Sequence, residues 1–350
     1  MSDSPRNGFP ISVLDLVTLR SGDPADTAVA QAVARTVDLA QHTEQWGYRR
    51  IWFAEHHSIP GIASAATSIL IGHIANATRT IRVGSGGIML PNHAPLVIAE
   101  QFGTLASLYP NRIDLGLGRA PGGDWATMRA LRRELKQDGD DFPALLAELQ
   151  GFLGPVRPGQ AVRAIPGQNT RVPIYILGSS LYGAQLAARL GLPFAFAAHF
   201  APQALYEAAR IYRTTFKPGL LAQPYLMIAA PIIAADTDAS ANYLATTPMQ
   251  RFLRLIRNQP VEVVAPIESM DHPAPGYEPW SPLEREAVHA RLGAAIVGSD
   301  ATVQAGLDKL ISETGADEII AVTDLWEHSD RLDSYQRVAA IAQAIQPVTV

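Results

Sequence analysis

The stretch Arg50-Ile51-Trp52-Phe53-Ala54-Glu55-His56-His57 sets an apolar run directly against three titratable side chains. Further along, Ile81-Arg82-Val83-Gly84-Ser85-Gly86-Gly87 repeats the pattern and ends in a pair of glycines. Unusual chemistry at the C-terminal ends of successive apolar strands indicates a site built on strand ends, as in α/β barrels. Six more runs, at 11–17, 113–117, 173–177, 194–197, 225–234 and 318–323, also read as strands. Between them apolar residues fall at three- and four-residue spacing, as in Val29, Val33, Val37 and Ala40, or Leu332, Tyr335, Val338, Ala342 and Ile345. Strands apolar on both faces and separated by helices imply a parallel sheet covered on both sides. Eight such units predict a closed (β/α)8 TIM barrel, one domain over residues 1–350. The competing doubly wound sheet would carry spaced glycines in its first βα turn, and none stand there.

Two connections are too long for simple loops. Residues 119–171 follow the fourth strand, with helices expected near 126–136 and 143–153. Residues 235–315 follow the seventh, with a helix near 239–258 and a proline-rich stretch at 260–282. Insertions of this kind at a catalytic rim serve as lids or binding loops, or merely cover a helix. Val261-Glu262-Val263-Val264 has the composition of a short strand.

Composition narrows the function. The 350 residues are 47% hydrophobic and 17% charged, with net charge −5 and no basic run, which argues against nucleic acid or an anionic membrane as partner. Absence of cysteine removes thiolate metal sites, Fe–S clusters and cysteine nucleophiles. The N-terminal ten residues lack an apolar signal core and no later run is long enough to span a bilayer, so a cytoplasmic protein is expected.

Four clusters are candidates for chemistry. His56 and His57 stand together beside Glu55 at a strand end. On an extended chain neighbours point to opposite sides, so one histidine faces the pocket. A metal reading is disfavoured because no His-x-His pair accompanies them. Gly86-Gly87 lies inside an apolar run continued by Ile88-Met89-Leu90, which lets something flat approach the backbone. Arg119, in Gly116-Leu117-Gly118-Arg119-Ala120-Pro121-Gly122-Gly123, is a planar cation among glycines and open to an anion. Leu177-Gly178-Ser179-Ser180 leads into a helix at 181–190 and presents N–H and hydroxyl donors at its positive end; an ordinary serine N-cap is the alternative. Together with Arg119 it reads as a phosphate site.

With these segments in order, from 51–57 through 83–91, 100–119 and 177–193, the chain resembles the bacterial luciferase-like flavin-dependent monooxygenases nearly end to end. The resemblance implies FMN as cofactor, reduced by a separate reductase, with O2 and a small organic substrate as reactants. It implies His56 as base or hydrogen-bond partner near the flavin ring, with Glu55 among the cofactor-binding residues. Gly86-Gly87 would carry a cis peptide against the ring; Arg119, Gly178 and Ser179, with Ser180 and Tyr182, would hold the phosphate. Gly178 stands where luciferase has an acidic residue, which argues against light emission. The same barrel also hosts deazaflavin-dependent oxidoreductases, and a non-catalytic flavin-binding protein would keep Arg119 and the Gly-Ser-Ser turn without needing His56. Helices at 63–77 and 94–108, small-residued on more than one face, suggest a homodimer. His199, Phe200 and residues 260–282 are expected to wall the substrate pocket.

Overall fold

Eight parallel strands close on themselves in a computed structural model that describes residues 8–119, 125–131, 141–272 and 278–345. In chain order the elements are β1 (Ile11–Asp15), α1 (Ala28–Gln45), β2 (Arg50–Phe53), α2 (Thr67–Ala77), β3 (Arg82–Met89), α3 (Pro95–Leu108), β4 (Ile113–Gly118), α4 (Trp125–Ala130) and α5 (Phe142–Leu153). There follow β5 (Ile174–Gly178), α6 (Leu181–Leu190), β6 (Phe194–Ala197), α7 (Leu205–Thr215), β7 (Leu226–Ala234), α8 (Asp238–Ile256), α9 (Pro282–Arg291), β8 (Ile296–Gly298), α10 (Asp300–Thr314), β9 (Glu318–Val322) and α11 (His328–Ala344). The ring runs β1-β2-β3-β4-β5-β6-β7-β9, and β9 closes it on β1 through Ile11↔Ile319 and Val13↔Ala321. All eight ring strands are those read from the sequence.

One strand was not foreseen. β8 pairs in parallel with Ile232–Ala234 at the far end of β7, outside the ring. Three residues carry too little periodicity to register as a strand. Within 235–315, α8, α9 and β8 form the excursion proper, whereas α10 packs against α7, α11 and β7 as a member of the outer helical layer. The expected strand at 261–264 is reduced to a single parallel bridge, Arg20↔Val263. That segment is nonetheless stitched down: Val261 N donates to Pro60 O, Val263 N to Leu19 O and Ser21 N to Val263 O. Thr247 Oγ1 and Gln250 Nε2 of α8 donate to Val264 O and Ala265 O, both at 2.9 Å. Of the helix expected at 126–136 only Trp125–Ala130 lies within the described residues.

Because strand side chains alternate, each strand feeds two cores. Outward residues such as Ile51, Phe53, Val83, Ile113 and Phe196 pack under the helices. Inward residues, among them Leu14, Trp52, Tyr175, Met227 and Ile320, fill the lumen. Below them, at the N-terminal ends of the strands, the same inward positions are ionic. Arg50 donates from Nε and Nη2 to the two Glu318 oxygens (2.8 and 3.1 Å), and from Nη1 to Asp114 Oδ2 (2.8 Å) and Tyr175 Oη (2.7 Å). Arg82, Trp52, Ser12 and Tyr225 supply the remaining donors to the two carboxylates. Burial opposes ionisation of Asp114, but Arg50 and Arg82 outweigh it and hold the carboxyl below its ordinary value of 3.8.

Removing one member leaves the others charged and buried, which costs about 3–5 kcal/mol. We therefore expect Arg50→Met to lower the unfolding free energy by roughly that amount, read from urea midpoints at neutral pH. Asp114 has a depressed folded-state pKa, so its contribution is complete above 3.8 and is lost as the pH falls below that value. A variant as stable as the parent would show that the network contributes nothing net.

Candidate active site

The alternation that fills the lumen also selects which rim side chains face inward. Arg50, Trp52 and Ala54 point inward, and the next step along the same face is His56. By the same count Ile320 and Val322 lead to Asp324 beyond β9, and the turn that follows β6 brings His199 within electrostatic reach of both His56 and Asp324. These three groups meet at the C-terminal mouth, where α8 adds Arg251. Arg251 pairs with Asp324 and donates from Nε to Val261 O (2.9 Å), while Thr18 Oγ1 donates to Asp324 Oδ1 (3.2 Å). Burial first, then the charge of Arg251, hold the His56 imidazole below its ordinary value despite the opposing pull of Glu55. Burial pushes His199 down to about 4, with a contribution from His56, while Nδ1 stays 3.4 Å from Ala229 O. Both rings are therefore uncharged at neutral pH and able to accept a proton.

His57 does not share this environment. Its Nε2 lies 2.8 Å from Glu55 Oε1, and His93 Nε2 sits 2.9 and 3.0 Å from the two Glu55 oxygens. Met89 N donates to Glu55 Oε2 at 3.0 Å. Glu55 is thus buried and committed to protein partners. Burial opposes its ionisation, but His93, His57 and the Met89 N–H hold its carboxyl below the ordinary range. The carboxylate ties the end of β2 to the end of β3, just past the paired glycines.

Those glycines occupy an irregularity. Ser85 pairs with Leu115 but Ile88 with Leu117, so three steps on β3 match two on β4, and Gly86–Gly87 fill the difference through a cis peptide. A Cβ on Gly86 would stand 2.7 Å from Leu14 Cδ1, and one on Gly87 2.9 Å from Gly116 O. A side chain on Gly87 would press on the β4 backbone, and one on Gly86 on the Leu14 and Trp52 side chains.

On the next two strands the anion-binding candidates come together. β4 and β5 are neighbours paired through Gly116↔Tyr175 and Leu117↔Ile176, so they leave the barrel side by side. Arg119, exposed beyond β4, lies over the Tyr182 ring at 4.2 Å, and no carboxylate among the described residues is within ion-pair reach of it. Ser180 is the N-cap residue of α6 by backbone, yet its side chain makes no capping bond. The Ser179 hydroxyl likewise has no hydrogen-bond partner among the described residues. Arg119 and Tyr182 are thus in contact, and Ser179 and Ser180 follow half-buried Gly178 at the exit of the adjacent strand. The sequence cluster's Ala120 to Gly123 lie outside the described residues. No group of three His, Asp or Glu placed to hold a metal occurs among the described residues, and none of their helices is long and apolar enough to cross a membrane.

Sequence reading passed over Arg251, Asp324 and the role of His93. Asp324 was recoverable from strand alternation, one step past Val322. Arg251 comes from a helix remote in sequence and carries no local signal.

A parallel barrel whose C-terminal mouth gathers buried histidines, a glycine bulge and uncommitted donors has the layout of a barrel enzyme site. The luciferase-like monooxygenase family model matches residues 11–318, and the chain belongs to that family of flavin-dependent, oxygen-incorporating enzymes. It is 49% identical over 326 residues to a luciferase-like monooxygenase of Escherichia coli K12, covering 93% of this chain and 94% of that one. It is 38% identical over 237 residues to the N-acetyl-S-alkylcysteine monooxygenase of Bacillus subtilis, covering 66% and 69% of the two chains. Among solved structures, apo-MsnO8 superposes with a TM-score of 0.86 at 34% identity over 97% and 99% of the chains. The fold is also that of the FMN-bound oxygenating constituent of 3,6-diketocamphane monooxygenase from Pseudomonas putida (TM-score 0.74, 18% identity, 98% and 100% of the chains). An F420-dependent secondary alcohol dehydrogenase shares it at TM-score 0.64 and 14% identity, over 96% and 99% of the chains.

The depressed pKa of His199 has a direct signature. In a 15N-imidazole titration its resonance should change with a midpoint of about 4. Folding stability attached to this ring is complete above 6.5 and is lost as the pH falls from there towards the folded-state value. A midpoint near 6.5 would show an open, hydrated ring.

Proposed function

We propose that this protein is an FMN-dependent monooxygenase that accepts reduced flavin from a separate reductase and transfers one oxygen atom of O2 to a small organic substrate. The observation that carries the reading is the convergence of Arg119, Tyr182, Ser179 and Ser180 at adjacent strand exits, with Gly86–Gly87 on the next strand. A phosphate accepted from an arginine, two hydroxyls and the first turn of α6 suits that donor set. The bare bulge suits a flat ring. When bound, the flavin supplies the electrons and activates O2.

The chain's own groups do the rest. His56 Nδ1 or Nε2, neutral at working pH, takes a proton from the substrate or returns it. Glu55 acts at one remove, fixing Met89 and with it the backbone after the bulge. Arg251 and Asp324 neutralise each other and tie α8 to the mouth, while 260–267 shields it from water. The Glu55-His56-His57 and Gly178-Ser179-Ser180 pattern favours FMN over a deazaflavin, and His56 on the lumen face favours catalysis over flavin storage. A cytoplasmic setting, where a reductase supplies reduced flavin, completes the reading.

Anaerobic calorimetry with reduced FMN and with F420 tests it: FMN should bind, and admission of air should restore oxidised-flavin absorbance more slowly than for free reduced FMN. Arg119→Ala should weaken FMN binding by about 1–3 kcal/mol through loss of a charge-assisted contact. His56→Ala should leave binding nearly unchanged while lowering the yield of oxygenated product per flavin oxidised. Preference for F420, or unchanged FMN affinity in Arg119→Ala, would sink the assignment.

We further propose a homodimer through α2 and α3. Ile69 is 73% exposed and Leu108 64%, with Val97 on the same outer layer. On α3 the outward positions Ala94, Val97, Gln101, Thr104 and Leu108 repeat at three- and four-residue spacing, without a charge. Sedimentation should give a dimer, converted towards monomer by Val97→Glu with Ile69→Glu; a monomeric parent protein overturns this.

A further inference from the structure

Beside the mouth, between α8, α9 and the turn at 202–204 that follows β6, lies a cavity of about 350 Å³. Phe252, Leu255, Ile256 and Ala290 make its walls apolar, and Gln203 and Arg291 are its polar members. Leu255 and Ile256, adjacent at the end of α8, remain 44% and 48% exposed and extend the apolar surface of the groove. The volume is that of a small-molecule site.

Arg291 is the odd member of this lining. Its guanidinium lies over Phe200 at 4.7 Å and Phe252 at 5.7 Å, and Nη1 donates to Phe200 O at 3.0 Å. No carboxylate among the described residues pairs with it, nor with Arg254, whereas Arg251, Arg257 and Arg285 in the same insertion each have one. A guanidinium offers five N–H donors, and one backbone oxygen occupies only one of them. A half-buried cation between two aromatic rings, with donors left over, is complementary to an anion. Gln203 Nε2 donates to Ala290 O at 3.2 Å, and a capping box between Ser281 and Glu284 fixes the start of α9, so the groove is preformed.

The position connects it to the mouth. Phe200 follows His199 in the chain, and Arg291 is near enough for its charge to act on the His199 ring. We propose that this groove seats the substrate, a carboxylate-bearing molecule with a small aliphatic body: the carboxylate on Arg291, the body along Phe252, Leu255 and Ile256. The inference rests on the mouth being the oxygenation centre, since only then is a ligand here a substrate.

Calorimetry on flavin-free protein separates the two claims, because it does not depend on FMN binding. Hexanoate, 1-hexanol and inorganic phosphate serve as probes. Hexanoate should bind at least about tenfold more tightly than hexanol, the discrimination expected of one charge-assisted contact. Arg291→Gln should abolish that preference while leaving hexanol binding unchanged, and Arg291→Lys should restore part of it. Equal binding of the acid and the alcohol by the parent protein overturns the proposal. So does an Arg291→Gln variant in which both affinities fall alike, which would make Arg291 only a latch between α9 and the β6 loop. Phosphate binding as tight as hexanoate would overturn the role of the apolar walls. Retained hexanoate preference in a protein that fails to bind FMN would sink the monooxygenase reading and leave the groove an anion site.

Discussion

The guanidinium of Arg50 is the constraint on which the barrel rests. It stands at the first residue of β2 and reaches across the lumen to Glu318 of β9, Asp114 of β4 and Tyr175 of β5. A parallel barrel must fill its interior, and large apolar side chains alone could do so. Here the lowest layer is instead a charged network in which both Glu318 oxygens and both Asp114 oxygens are engaged. Buried charge tolerates little misplacement, because each lost partner leaves an uncompensated group in a medium of low polarity. The network therefore fixes the mutual register of strands far apart in sequence. Register fixed at the floor is transmitted two residues at a time to the mouth.

That transmission explains why the site lies where it does. Alternation carries Arg50 to Trp52, Ala54 and His56, and carries Glu318 to Ile320, Val322 and Asp324. Slipping one strand by a single residue would exchange His56 for Glu55 or His57 on the lumen face. The glycines of β3 and β4 answer a different demand. Trp52 fills the mid-barrel, its Nε1 bonded to Asp114 Oδ2, and a Cβ on Gly84 would come within 2.9 Å of that nitrogen. Gly84 is small because Asp114 and Trp52 press on it from both neighbouring strands, Gly86 because Leu14 and Trp52 do, and Gly116 because the backbone of Ser85 and the Leu177 side chain leave no room.

How far the sequence discloses this depends on the range of the interaction. Strands and helices are legible because their signal is periodic within a few residues, and all eight ring strands show it. Arg119 and the Gly178-Ser179-Ser180 turn are legible because the chemistry is contiguous, and the sheet then brings two contiguous motifs together. Groups that meet only through the fold carry no such mark. Arg251 reaches the mouth from α8, Arg291 from α9, and neither differs in sequence from an ordinary solvated helix arginine. Glu55 was legible as a functional candidate, but not its occupation by His57, His93 and Met89 N, which depends on the turn at 90–93 folding back over β2.

Electrostatically the mouth is divided. The ion pair of Arg251 with Asp324 is neutralised within the protein and the Glu55 carboxylate is occupied by hydrogen bonds, so they shape the rim without attracting ligand. Arg119 and Arg291 are the cations left unmatched among the described residues that border it, one beyond β4 and the other on α9. The two histidines between them are kept uncharged by burial and by neighbouring positive charge. On the proposed reading Arg119 takes the flavin phosphate and Arg291 the substrate carboxylate, two like charges held at separate places. Burial and Arg251 lower the basicity of His56, and burial, His56 and Arg291 that of His199, so the charges that shape the rim also keep its imidazoles neutral.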